Sequence, residues 1–426
     1  MREKLGELSP LMLASFLVQA SNAAITTMIA IVIAQQPGGE QSDVSLIAAS
    51  YALGFMLGCF LAPAQAARVG LIRSYAGAAA VVTISIVGLE LLEGTLLWAF
   101  MRFVMGASIA AVLAISDAWL NGNTPSDLRG RVIAAYSIVL GIGSLASQMV
   151  FLFVDAETGG FALMFAVLMN IAVVLVAFTS SQPPALEAAA DKRSAVFAIS
   201  SWTAGVAAFV SGFATVSIVS ILPFYLTEHA VPGTLVAMSL ATLYLGRLLF
   251  QWPVGSLSDR VDRRTVLVAL SAVVAALMVI MIVIGAREGK AISGALGPLL
   301  QGVAFGGMFL LGGVIFPIYS VASALAFDRA EGRSLIDISK SLLVIYSIGS
   351  IAGPFLVMAV NKIIGDDALA YCVLAAAILV IGTGLLRKAA ATAVEKPVAT
   401  NVIIPESSVE MVEAAAALAE EEDAKD

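Results

Sequence analysis

Apolar runs long enough to cross a bilayer follow one another from Ser9 to Leu386, broken by short clusters of charge, proline or glycine. A transmembrane helix needs about 20 largely apolar residues. Twelve spans answer to that length: 9–34, 43–67, 72–92, 95–119, 131–153, 160–180, 195–226, 233–257, 265–285, 292–326, 334–361 and 368–386. The span 292–326 is long for one crossing and has a break point at Pro317. The pattern predicts an all-α polytopic membrane protein.

Composition agrees. The chain is 60% hydrophobic and 12% charged, with a mean hydropathy of +0.98, too little charge to clothe a soluble domain. The net charge of −7 comes mostly from the segment after Arg387, where nine acids face three lysines. The acidity therefore describes an appendage and not a binding site, and no basic face offers itself to nucleic acid. Cys59 and Cys372 fall inside apolar spans far apart, which excludes a disulfide framework. Arg2 and Lys4 precede an apolar run too long for a signal peptide, so the run reads as an uncleaved first helix.

Alternating twelve spans places both termini on one side, with Arg2, Lys4, Arg68, Arg73, Arg129, Arg131, Lys192, Arg193, Arg260, Arg263, Arg264, Arg329, Arg333, Arg387 and Lys388. The opposite loops hold Arg287, Lys290 and Lys362. Basic residues concentrate in cytoplasmic loops, so the expectation is a multi-pass protein of the cytoplasmic (inner) membrane with both termini inside. The polar stretch Ser181 to Arg193 separates six spans from six. A shift of 192 residues lays Gly54 on Gly246 and Arg68 on Arg260, and Tyr136-Ser-Ile is echoed by Tyr346-Ser-Ile. The predicted organisation is a first bundle over 1–180, a linker over 181–194, a second bundle over 195–387 and an acidic tail over 388–426, disordered by composition.

The densest knot of charge lies between two apolar spans, in Gly255-Ser-Leu-Ser-Asp259-Arg260-Val-Asp262-Arg263-Arg264. This G-x-L-x-D-R-x-x-R-R pattern resembles the signature loop of major facilitator superfamily (MFS) transporters. The resemblance implies the MFS fold, twelve transmembrane helices in two pseudo-symmetric six-helix bundles, with substrate near the midplane between them. It also implies a gating role: Gly255 for close packing, Asp259 as an acidic latch, and Arg260, Arg263 and Arg264 as its partners. A plain positive-inside anchor is the other reading. The first-half copy, Pro63-Ala-Gln-Ala-Ala67-Arg68, carries Ala67 where the aspartate should stand, which predicts asymmetric gating.

Arg102, four residues before Gly106, resembles the fourth-helix motif associated with proton coupling in several branches of the family. A structural arginine bonded to helix-end carbonyls, or snorkelling outward, is equally open. Arg247 lies twelve residues before Asp259, about 18 Å along a helix, and so near mid-membrane. Asp117 is the candidate protonatable carboxylate. Its surroundings, Ser116-Asp117-Ala-Trp119 with Gly130, Arg131 and Tyr136 beyond, resemble uncharacterised bacterial MFS-type permeases. A surface aspartate paired with Arg129 or Arg131 is the competing reading. By analogy with cavity-lining helices of the family, Gln19, Asn22, Tyr225, Tyr244, Arg247 and Gln301 join Arg102 as cavity candidates.

Small-residue pairs Gly54/Gly58, Gly302/Gly306 and Gly349/Gly353 predict close helix packing. The Gly-Pro pair of drug/proton antiporters is missing from the fifth span, where Gly143-Ser-Leu-Ala-Ser147 stands, and that departs from the drug-antiporter branch. No G-x-x-x-x-G-K-[S/T] loop occurs, so ATP-driven transport within the chain is not expected. The only histidine is His229. No metal site, cofactor or catalytic constellation can be assembled, which disfavours a membrane enzyme. The expected activity is secondary active transport of a small solute by alternating access, coupled to protons and carried out by a monomer. An organic anion is suggested by two embedded arginines against few embedded acids. A transporter-like receptor signalling through the acidic tail is the alternative.

Overall fold

The computed structural model describes residues 2–124, 126–155, 160–179, 201–288, 298–330, 335–365 and 367–390. These form thirteen helices: α1 (Arg2–Gln35), α2 (Gln41–Val69), α3 (Leu71–Leu91), α4 (Thr95–Gly122), α5 (Ser126–Met149), α6 (Phe161–Ala177), α7 (Trp202–Glu228), α8 (Gly233–Arg260), α9 (Arg263–Glu288), α10 (Pro298–Ile315), α11 (Pro317–Phe327), α12 (Leu335–Ile364) and α13 (Ala368–Ala390). A 3-10 turn, Val150–Leu152, extends α5. No strand occurs among the described residues. Eleven segments are long and apolar enough to cross a membrane, α10 and α11 counting together, and α6 is a shorter apolar helix. The twelve predicted spans therefore each find a helix. The predicted linker, 181–194, and the tail beyond Ala390 lie outside the described residues.

The long tenth span breaks where its proline stands. Pro317 has no N–H to give the carbonyl four residues back, so α10 stops at Ile315 and α11 starts at Pro317. Phe316 between them keeps right-handed helical angles, φ −67° and ψ −39°, which makes the break a kink within one crossing. At the start of α6, Gly160 adopts a left-handed φ of 87°. Its N–H donates to the Glu90 carboxylate at the end of α3 over 2.6 Å, so an acid caps the exposed amides of the shortest span.

Helix pairing repeats between the halves. In the first, α1 packs on α5 and α6, α2 on α4, and α3 on α4 and α6. In the second, α7 packs on α12 and α13, α8 on α10, and α9 on α10 and α13. The same glycines serve the same purpose in both. A side chain at Gly54 would run into the Phe103 carbonyl of α4, and one at Gly106 into the Tyr51 carbonyl of α2. At the matching contact, Gly246 faces the Phe309 carbonyl and Gly312 the Leu243 carbonyl. Gly58, Gly349 and Gly353 are equally close to neighbouring backbone. Gly302 and Gly306 depart from the expectation: a Cβ at either meets nothing within 4 Å, because that end of α10 has no helix against those positions.

The halves meet along α1–α7, α2–α12 and α5–α8. The last two contacts exchange under the repeat, since α8 corresponds to α2 and α12 to α5. At the face remote from the N-terminus, Phe224, Val236 and Ala237 of the second half pack into the apolar core of the first. Large apolar side chains such as Leu96, Phe178, Trp252 and Leu386 are exposed, as they must be where lipid is the solvent.

Candidate functional site

The α8–α9 turn is built by its own charges. α8 ends at Arg260, Val261 is extended, and Asp262 caps α9 by accepting from the Arg264 N–H at 3.2 Å and from the Thr265 hydroxyl at 3.4 Å. Arg263 then reaches back. Its Nε lies 2.8 Å from Asp328 Oδ2, just past the end of α11, and its outer nitrogen lies 3.5 Å from Asp259 Oδ1. One guanidinium thus ties the ends of α8, α9 and α11. Burial pushes the Asp328 carboxyl above the usual carboxylate range, and Arg263 and Arg329 oppose that shift. Arg264 is buried and Arg260 exposed. Gly255 does not bear out its expected close packing: a Cβ there would find open space. No helix is pressed against it in this conformation, although its spacing in the motif is that of a packing glycine.

The acidic partner Asp328 escaped the sequence reading, although an acid directly before Arg329 at the end of a span is a signal of the same kind as Asp259. Among the described residues the first half shows no equivalent of the network. The register that sets Gly54 on Gly246 sets Ala67 on Asp259 and Leu71 on Arg263. The register that sets Phe103 on Phe309 sets Gly122 on Asp328. Arg68 and Arg73, the remaining cations of that turn, are exposed.

Two arginines stand deep among the helices. Arg102 on α4 is 2% exposed. It donates to the Thr26 hydroxyl of α1 over 2.9 Å, contacts the Met105 sulfur at 3.3 Å, and stacks over the Tyr51 ring of α2 with 4.2 Å to the centroid. Its Nε has no hydrogen-bond partner. Asn22 lies beside the Tyr51 hydroxyl. Arg247, partly buried on α8, lies over the Phe316 ring at the α10–α11 kink, 4.7 Å from the centroid. Tyr244, one turn before it, packs on the same Phe316 ring at 6.1 Å between centroids. The Tyr51 and Tyr244 phenols are close enough for a charge on one to act on the other. The two arginine groups therefore approach each other across the seam between the halves. Among the described residues neither arginine has a carboxylate within ion-pair distance. Stacking on an aromatic face offsets part of a buried cation's lost hydration, by about 2 kcal/mol where the pair is desolvated.

Asp117 does not lie at the surface: it is 3% exposed, and the side chains of Arg129 and Arg131, its expected partners under the competing reading, lie outside the described residues. The Tyr136 hydroxyl of α5 faces its carboxyl.

The other predicted residues divide. Gln19 donates to the Ser144 hydroxyl at 3.0 Å, and Thr27 donates to Gln148 at 3.1 Å, so Gln19 belongs to the α1–α5 packing. Asn22 and Tyr244 join the arginine groups. Tyr225 sits at the far end of α7, stacked with His229 at 4.3 Å between centroids. Gln301 stands near the start of α10, fifteen residues before Phe316, about 22 Å along the axis, and so is far from Arg247. Tyr51, Thr26 and Phe316 complete the arginine groups and were not singled out by the sequence. No group of three or more His, Cys, Asp or Glu capable of holding a metal occurs among the described residues.

Two pseudo-symmetric groups of membrane-length helices meeting along a shared seam define the architecture of a membrane transporter. The sequence model of the Major Facilitator Superfamily matches residues 11–354, and the chain belongs to that family. It is 27% identical over 386 residues to the uncharacterized MFS-type transporter YcaD of Escherichia coli O139:H28, covering 88% of this chain and 94% of the relative, and equally so to YcaD of Shigella sonnei. Among solved structures, the nucleoside transporter NupG superposes with a TM-score of 0.69 at 13% identity, covering 91% of this chain and 99% of that one. The xylose transporter XylE from E. coli, in a partially occluded inward-open conformation, superposes with a TM-score of 0.65 at 13% identity, covering 91% and 98%. These structural likenesses concern the fold.

Proposed function

We propose that this protein is a secondary active transporter that moves a small organic anion, chemically unchanged, across the cytoplasmic membrane by alternating access. The observation that carries this reading is the pair of embedded guanidiniums, Arg102 in the first half and Arg247 in the second, flanking the Tyr51/Tyr244 seam with no carboxylate among the described residues to neutralise either. A cation held away from water attracts a mobile counter-ion when no fixed one is present. A ligand bridging both groups is gripped by both halves, which is the contact an alternating-access cycle must exchange.

The bundles over 1–180 and 195–387 act as rocking bodies, joined by the linker 181–194, in a monomer whose termini both face the cytoplasm. The excess of basic residues on the terminal side supports that sidedness. Asp259, Arg263 and Asp328 lock the second half on that face, with Arg260 and Arg264 beside them and Gly255 left room for a helix to close upon. Proton coupling belongs to the same reading.

Stabilisation of purified protein by a panel of small anions, followed by flux in proteoliposomes, tests the proposal. A ligand that binds only the folded state raises the unfolding temperature with concentration. Stabilisation by organic anions that is lost in Arg247→Ala supports the assignment. Stabilisation and flux of a neutral or cationic solute, retained in Arg247→Ala, overturns it.

A further inference from the structure

The first half holds a second polar group that the anion site does not use. Asp117 on α4 is buried, and both its carboxylate oxygens lack a hydrogen-bond partner. The Tyr136 hydroxyl from α5 faces it, and Cys59 of α2 lies within its electrostatic reach. Ser15 of α1 and Tyr75 of α3 stand against Tyr136. No lysine or arginine with a described side chain acts on it, the side chains of Arg129 and Arg131 lying outside the described residues, and Arg102 lies fifteen residues away on the same helix, about 22 Å along the axis. The Tyr136 and Tyr75 hydroxyls also lack partners, so a carboxyl and two phenols are buried on α4, α5 and α3 with their hydrogen bonds unmade.

The fold does not require the carboxylate. Under the repeat, Tyr136 corresponds to Tyr346, and Asp117 falls on Ser323, which is 6% exposed. The second half therefore packs the same place with a neutral hydroxyl. A charged oxygen enclosed without a counter-ion is costly, and a bound proton removes the charge without needing space. Cys59, on which the Asp117 charge acts, is one member of the apolar contact Cys59–Ala110–Leu343 that joins α2 and α4 to α12 across the seam. Ala110 of that contact stands on α4 itself, seven residues before Asp117.

We propose that Asp117, with Tyr136 as its hydrogen-bonding partner, is a proton-binding site separate from the Arg102/Arg247 anion site, and that Arg102 serves the anion and not the proton. This rests on the transporter reading only for its purpose, since proton binding can be measured without any substrate. In an alternating-access cycle the occupied state carries a neutral carboxyl beside α5, which packs on α8 of the second half, and the emptied state a charged one. The same proton would thereby be linked to which halves' contacts are made.

The test is pH-difference infrared spectroscopy on purified full-length protein in lipid. The expected result is a protonated-carboxyl C=O stretch that is sensitive to D2O, absent from Asp117→Asn and kept in Arg102→Lys. In Tyr136→Phe the band should remain and move to higher frequency, because its carbonyl has lost a donor. Spectra in sodium and in potassium should coincide. A pH-difference spectrum unchanged by Asp117→Asn overturns the proposal, as does a carboxylate that stays ionised and responds to sodium. Circular dichroism and gel filtration of the variants show that each is folded. None of these readouts depends on anion transport, so the two proposals can fail separately.

Discussion

At the scale of single residues, the glycines show how a spacing becomes a distance. Gly246 lies against the backbone of Phe309, so no side chain fits without moving a helix. Gly246→Val should destabilise by about 3 kcal/mol or more, in the range of severe packing defects, and thermal unfolding in detergent measures it. Gly255→Ala meets nothing and should stay within about 0.5 kcal/mol of the parent in the same assay. Transport that nevertheless falls in Gly255→Ala would place its packing role in another conformation of the cycle. The contrast also marks what spacing conveys. Gly54, Gly58, Gly349 and Gly353 are close contacts as the pattern implied, whereas Gly302 and Gly306 are not, since a small residue permits an approach without supplying the partner. Arg102 and Arg247 were legible as costly charges inside apolar runs. Their partners Tyr51, Thr26 and Phe316 were not, because each lies on a different helix and nothing along the chain announces which helices meet.

At the scale of elements, Arg263 is the residue on which the ends of α8, α9 and α11 converge. A double-mutant cycle between Arg263→Ala and Asp328→Ala, read by unfolding in detergent, should give a coupling of about 1 kcal/mol, as for a charge-assisted contact near the surface. Acid should remove the coupling, because protonated Asp328 no longer presents a negative partner. Burial holds that carboxyl above its ordinary range, so the loss should begin at a higher pH than an exposed aspartate would show. Strict additivity at neutral pH would contradict the network. Arg68→Ala, in the corresponding turn of the first half, should be near neutral because Arg68 is exposed and Ala67 and Gly122 replace the two acids. The loop motif and its missing first-half acid could be read from the sequence. Asp328 could not, since it joins Arg263 only once α9 and α11 are packed together.

At the scale of the whole molecule, twelve crossings and the repeat came from the apolar pattern, and the break at Pro317 fell where the proline stood. The chain's likeness to YcaD and to the folds of NupG and XylE agrees with that architecture. Both termini should react with a membrane-impermeant thiol reagent only after cells are opened, when single cysteines are placed there in a background with Cys59 and Cys372 replaced. Removing residues 391–426 should leave transport unchanged if the acidic tail takes no part in the cycle. The proposed negative charge of the substrate follows from arginines visible in the sequence, whereas its shape depends on where α2, α4, α8 and α10 place their side chains near the seam. The most direct test of the account is uptake of an organic-anion panel into proteoliposomes, wild type against Arg247→Ala. The account predicts accumulation of at least one anion and a loss of about tenfold or more in the variant, as expected when a charged contact worth over about 1.4 kcal/mol is removed. Undiminished transport of the protein's substrate by Arg247→Ala would contradict it.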